Sequence, residues 1–215
     1  MTVMAAHPWA NNGELIADVA RLGYLHEDWL TLDVTYGTGR FWSKFRPRRL
    51  VASDLYAEGA MHHWDFTALP VGTGDYKVVV LDPPYKLNGT STGEGPSALD
   101  AGYGVSGKYV AWQDRHALIR RGIREAMRVT TSGGFVLVKC QDQVCSGAIR
   151  WQTREFADFG EMEGATLVDR FDMIGRMRKQ PMEAKVDAKG TVVRAAREQR
   201  HAHGRPSTLL VFRRT

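Results

Sequence analysis

Apolar residues recur at helical spacing over residues 14–22 (Leu15, Ile16, Val19, Leu22), with Asn12 as the expected N-cap and Gly23 as the stop. The period then changes. Residues 30–34 read as a short strand, followed by the turn Gly37-Thr38-Gly39 and a short helix through Phe41 and Phe45. Residues 50–53 form a second expected strand. Residues 77–81 form a third, and Val78-Val79-Val80-Leu81 has the unbroken apolar run of a strand buried on both faces. A long helix is predicted over 112–129, a strand over 134–139, a helix over 154–163, and strands over 165–173 and 207–213. Strands alternating with helices predict an α/β fold built on an open, mostly parallel sheet with helices on both faces. No helical crossover separates the last two strands, so an antiparallel C-terminal strand should close the sheet.

Two stretches break this alternation. Residues 86–108 are rich in Gly, Ser and Thr, and a loop of that length in a compact domain is expected to be a flexible active-site loop. Residues 174–206 carry nine Lys or Arg against three acids, a net +6, so the rest of the chain sums to −1. Such a segment is either a solvated surface loop or the contact for a polyanion. On the second reading Arg176, Arg178, Lys179, Arg194, Arg197 and Arg200 are the candidate phosphate contacts.

The 215 residues, 43% hydrophobic and 25% charged, suit one globular domain spanning 1–215. No apolar run nears the roughly 18 residues of a membrane span. The first residues lack the layout of a secretory signal, so a cytoplasmic protein with no membrane partner is expected. Cys140 and Cys145 fit a reducing compartment. With His201 and His203 they match no standard zinc spacing, and no metal is expected.

The candidate chemistry lies where strands end. In open α/β sheets ligands bind beyond the carboxyl ends of the strands, and the first βα turn is the usual cradle. That turn is Asp33-Val34-Thr35-Tyr36-Gly37-Thr38-Gly39. Its glycines permit a sharp bend and close approach of a ligand. Asp33 is placed to accept from an ammonium group, and Asp54, after the next strand, from ribose hydroxyls. A dinucleotide site wants a third glycine where Trp42 stands, and no P-loop sequence is present. An adenosyl amino acid has no phosphate and needs neither.

Asp82-Pro83-Pro84-Tyr85 follows the buried strand directly. Two prolines fix an extended backbone. The Asp82 carboxylate and the Pro83 carbonyl could then each accept one hydrogen of an aromatic amino group. That would stabilise positive charge on its nitrogen during alkylation. Tyr85 would stack on an extruded base.

Taken in order, the glycine turn, the acid after the second strand, Asp65-Phe66 and Asp-Pro-Pro-Tyr resemble the S-adenosylmethionine-dependent amino-methyltransferases of nucleic acids. The resemblance is to those acting on adenine N6 or cytosine N4 in DNA, and it runs from about residue 30 to 139. It implies a Rossmann-like fold with S-adenosylmethionine as cofactor. Asp33, Gly37 and Gly39 would hold its methionine part, Asp54 its ribose, and Asp65 and Phe66 its adenine. Thr35 occupies a cofactor-side position where the family more often has Phe. Asp82 to Tyr85 would meet the target base, and an Asp at the head of the motif is commoner among adenine enzymes. DNA is the implied partner. RNA remains open, since similar loops act on guanine N2, and so does a non-catalytic nucleic-acid-binding role. A nicotinamide oxidoreductase is disfavoured by Trp42.

Overall fold

The computed structural model describes residues 2–87, 111–174 and 206–215, together with the backbone of 182–186 and 192–196. Its strands are β1 (Ala6–His7), β2 (Thr31–Asp33), β3 (Leu50–Ala52), β4 (Tyr76–Leu81), β5 (Thr130–Gln141), β6 (Gln143–Cys145), β7 (Ala148–Arg150), β8 (Ala165–Met173), β9 (Met182–Val186), β10 (Val192–Ala196) and β11 (Ser207–Arg214). The helices are α1 (Asn12–Arg21), α2 (Trp112–Val129) and α3 (Gln152–Met162), with a 3-10 turn at Arg40–Trp42.

Seven strands form one sheet in the order β1-β8-β11-β5-β4-β2-β3, parallel throughout except for β11. The side-chain period of two sorts residues onto its two faces. Val79, Leu81, Val136, Val138, Leu210 and Phe212 pack under α2 and α3, whose Ile119, Ile123, Ala126 and Phe156 cover them. Val78, Val80, Leu137, Leu209 and Val211 face the other way, against Leu15, Ile16 and Val19 of α1 and Phe41 and Trp42 of the 3-10 turn. The expected α/β sheet with helices on both faces and an antiparallel last strand is therefore the fold observed.

Local chemistry sets the helix ends. Asn11, not Asn12, caps α1: its backbone is extended and its side chain accepts from the Glu14 N–H. Asn12 lies one residue inside, which frees its amide for another role. Gly23, at φ +84°, ends the helix in a left-handed turn, with Tyr24 N–H donating to the Val19 carbonyl and Gly23 N–H to that of Ala20. The arginine row of α2 has the charge pattern of a solvated face, and Arg121 and Arg124 are exposed accordingly. Arg115 is buried, while Arg120 and Arg124 pair with Glu155 and Glu163 of α3. Among the described residues no helix is long and apolar enough to cross a membrane.

Two features position the site. The chain leaves β2 toward β3 on one side and returns to β4 on the other, so the gap between β2 and β4 is the topological switch point. Ser207, the first residue of β11, pairs with both Gln141 and Met173 at the ends of β5 and β8. The basic stretch 174–206 thus leaves and re-enters the sheet at its carboxyl edge. Expected as a loop, it contains the antiparallel ribbon β9–β10.

Candidate active site at the carboxyl edge of the sheet

Three carboxylates gather at the switch point. Asp33, at the end of β2, is buried; its Oδ1 accepts from the Thr35 N–H at 2.9 Å and its Oδ2 from the Trp42 indole N–H at 2.7 Å. Burial pushes its carboxyl up to about 7 against the lowering effect of those two donors, and nearby Asp82 and Asp54 raise it further. Asp54, after β3, is also buried. Its Oδ2 accepts from the Gly37 N–H at 2.9 Å, and its Oδ1 from the N–H groups of Tyr56 and Ala57, each at 3.0 Å. The carboxylate therefore holds the glycine turn against the second strand and keeps one lone pair on Oδ2 for a further donor.

The turn bends through Gly37 (φ +53°) and Gly39 (φ +70°). A side chain on Gly39 would also strike the Tyr36 ring, whose hydroxyl oxygen would lie 2.5 Å from the added carbon. Thr35 joins two loops: its hydroxyl accepts the Asp82 N–H at 2.7 Å and lies 3.4 Å from Asp33 Oδ1. Where the resembled family more often presents an aromatic ring to the cofactor, this chain has a hydroxyl that ties the β2 and β4 loops together.

Asp82 is half-buried and opens the Pro-Pro-Tyr loop. Burial raises its carboxyl above the ordinary range, and the Lys139 ammonium works against that rise. The loop folds tightly, with the Tyr85 N–H donating to the Pro83 carbonyl at 2.7 Å. That bond uses one of the two lone pairs on the Pro83 carbonyl and leaves the other for a substrate amine. The Tyr85 carbonyl in turn accepts from Gln143 Nε2 at 2.8 Å and Gln152 Nε2 at 2.7 Å. Gln143 Oε1 also receives the Leu87 N–H at 3.2 Å. Beyond residue 87 the expected active-site loop lies outside the described residues. Arg176, Arg178, Lys179, Arg197 and Arg200 do too, and Arg194 is described only as backbone in β10.

Asp65 is exposed, and its side chain accepts the Thr67 N–H and hydroxyl, both at 2.8 Å. Phe66 is half-buried against α2; a side chain carbon on Gly122 would come within 2.5 Å of its ring, so only glycine admits the ring there. Leu55, Tyr56 and Met61 stand exposed around the end of β3, and His62 stacks on Trp64 with centroids 4.2 Å apart. The apolar pair directly after Asp54 is the sequence signal for this surface. Among the described residues no group of three or more His, Cys, Asp and Glu could hold a metal, and Cys140 and Cys145 are free thiols.

Three carboxylates converging on one cradle repel a pyrophosphate and suit a cationic ligand. Trp42, in the position of a dinucleotide motif's third glycine, is engaged with Asp33.

No protein-family model matches the chain, and no curated protein matches its sequence. Among solved structures it is similar to the 4+2 cyclase SpnF, with a TM-score of 0.53 and 14% identity over 99% of this chain and 88% of that one. It is also similar to a protein of Bacillus halodurans C-125 assigned as a methyltransferase, with a TM-score of 0.51 and 14% identity over 93% and 98%. A third likeness, to a Streptococcus thermophilus protein assigned as a hemolysin, has a TM-score of 0.51 and 11% identity; this chain spans 95% of its own length there and 66% of that protein's. At such identities the likeness is one of fold. The chain has a Rossmann-like fold, shared with the Bacillus halodurans protein assigned as a methyltransferase.

Proposed function

We propose that the protein transfers a methyl group from S-adenosylmethionine to an exocyclic amino group of a base in DNA, adenine N6. The observation that carries this reading is the meeting of Asp33, Asp54 and Asp82 around one glycine turn, with Asp82 at the head of a clamped Pro-Pro-Tyr loop.

S-adenosylmethionine brings a methyl group activated by sulfonium charge, and its two cationic centres suit an acidic cradle. Asp33 and the turn through Gly37 and Gly39 take the amino-acid end. Asp54 takes one ribose hydroxyl with its remaining lone pair, and Leu55, Tyr56 and Phe66 offer apolar surface to the purine. At the substrate side, Asp82 accepts a hydrogen bond from the target amino group, whose nitrogen becomes positive as the new N–C bond forms and the S–C bond breaks. One proton then leaves the nitrogen through Asp82 to water, so charge balances. Tyr85, held through its carbonyl by two glutamines, stacks on the base. The basic stretch 174–206, rooted at this same edge by Gln141, Met173 and Ser207, supplies phosphate contacts.

The test is to incubate the protein with DNA or RNA and isotopically labelled S-adenosylmethionine, then identify labelled nucleosides by mass spectrometry. N6-methyladenine in DNA is expected. N2-methylguanine in RNA would transfer the reading to RNA, and cofactor binding without any labelled nucleoside would leave a non-catalytic role.

A further inference from the structure

A lysine is fully buried within the site. Lys139 lies on β5 one residue beyond Val138, the register partner of Leu81, so it stands beside Asp82 on the α1 side of the sheet. Its Nζ donates to Asn12 Oδ1 at 2.6 Å, and Asn12 Nδ2 donates to Asp82 Oδ2 at 3.3 Å. Asn12 can reach both because Asn11 takes the capping role. We propose that Lys139 and Asn12 are positioning residues for Asp82: the buried ammonium holds the carboxylate as an anion, and Asn12 engages Oδ2, leaving Oδ1 to accept from the target amine.

The physical case rests on the pairing of two costly groups. A buried ammonium persists only beside an anion, and a carboxylate in a poorly solvated loop stays ionised only beside a cation. Burial lowers the Lys139 ammonium while Asp82 and Cys140 raise it; burial raises Asp82 while Lys139 lowers it. Among the described residues Asp33, from β2, also faces Asp82, and its repulsion makes the lysine more necessary. An anionic Asp82 stabilises the positive charge that develops on the amine, which a protonated carboxyl, left with only a neutral carbonyl acceptor, does far less well. Sequence separation hides this contact: Asn12 and Lys139 are 127 positions apart in the chain.

This inference rests on the methyl-transfer reading, so two experiments divide the outcomes. The first is a pH–rate profile with saturating cofactor and DNA. Lys139→Met should lower kcat by ~10² with little change in cofactor affinity, the order lost when one preorganised electrostatic contact is removed. Its acidic limb should move up by about one pH unit or more, since a carboxylate without its neighbouring cation ionises less readily. Asn12→Ala should lower kcat with a smaller shift of the limb, because the charge remains. A Lys139→Met enzyme whose limb is unmoved overturns the proposal, however slow it is.

The second experiment needs no turnover. Asp82→Asn leaves the ammonium without its anion, so it should melt well below the wild type near pH 7 and recover at alkaline pH, where the amine is neutral. Adding Lys139→Met should restore its melting temperature near pH 7. If Asp82→Asn melts like the wild type at both pH values, the pairing is refuted even where Lys139→Met alone fails to fold. Coupled melting in a protein that methylates nothing would instead refute the functional reading and leave the pair standing.

Discussion

The Trp42 indole N–H donates to Asp33 Oδ2 at 2.7 Å, so the residue that breaks the dinucleotide pattern is the one that anchors the acid at the end of β2. A buried carboxylate with two donors is still short of the solvation it would have in water, and burial wins: its pKa rises to about 7. The site therefore stores an acid that is only partly ionised at neutral pH. A cationic ligand would draw the proton off.

That arrangement gives a pH dependence with a definite sign. Asp33 binds its proton more tightly folded than unfolded, so its contribution is fully present below its ordinary value of 3.8 and is lost as the pH rises through about 7. The loss is about 4 kcal/mol at most, from the size of the shift. Glu125 and Glu155, lowered chiefly by Arg128 and His116, act in the opposite sense but only below about 4.5, at the lower edge of that window. Chemical denaturation between pH 4 and 8 should show falling stability in the wild type and a flatter profile in Asp33→Asn. Saturating S-adenosylmethionine should reduce the fall. A flat wild-type profile would contradict the assignment.

Asp54 should separate two roles by substitution. Asp54→Ala removes the acceptor for Gly37, Tyr56 and Ala57, so it should destabilise the fold by ~1–3 kcal/mol and weaken S-adenosylmethionine binding by at least tenfold. Asp54→Asn keeps one acceptor oxygen and should fall between the two. Calorimetry with the cofactor and thermal melting measure both. Full affinity in a folded Asp54→Ala would move the ribose elsewhere.

Legibility in the sequence followed the range of the interactions. β8, following Gly164, spans the expected residues 165–173, and α2 spans the expected 112–129, because local period and a glycine boundary define them. The hairpin of β6 and β7 was not legible. Its three-residue strands are too short to alternate, although Ser146-Gly147, with φ of +51° and +74°, is the kind of dipeptide that turns such a hairpin. The positions of the three acids that meet at the switch point were readable because each ends or follows its own strand. The contacts that hold the site were not, although residues 139–143, which include Gln143, read as a polar stretch leaving the sheet at its ligand edge. Gln143 and Gln152 reach Tyr85 across 58 and 67 residues, and neither belongs to a spaced motif.

The basic stretch makes a prediction about salt. If residues 174–206 track phosphates, log affinity for DNA should fall linearly with log salt. Replacing Arg176, Arg178 and Lys179, or Arg194, Arg197 and Arg200, with glutamine should flatten that slope by roughly 0.9 for each phosphate contact removed. Fluorescence anisotropy across a salt series reads the slope directly. A slope that ignores both triple substitutions would reduce this segment to a charged surface.

Asp82 and Tyr85 should divide chemistry from base capture. Asp82→Ala leaves the glycine turn, Asp33 and Asp54 in place, so S-adenosylmethionine binding should survive, while turnover falls by about 10²–10³ or more because the carboxylate acts on charge that develops at the amino nitrogen. Tyr85→Ala should instead lose stacking worth roughly 1–3 kcal/mol and raise the KM for DNA. Tyr85→Phe and Tyr85→Trp should keep much of the activity, because the base needs an aromatic face. Gln152→Ala removes one of the two donors on the Tyr85 carbonyl and should resemble a milder Tyr85→Ala, with substrate affinity more affected than cofactor affinity. Steady-state kinetics on a DNA duplex with these five variants distinguishes the roles. An Asp82→Ala protein that folds and methylates near the wild-type rate would remove the reason for placing the reaction at this loop.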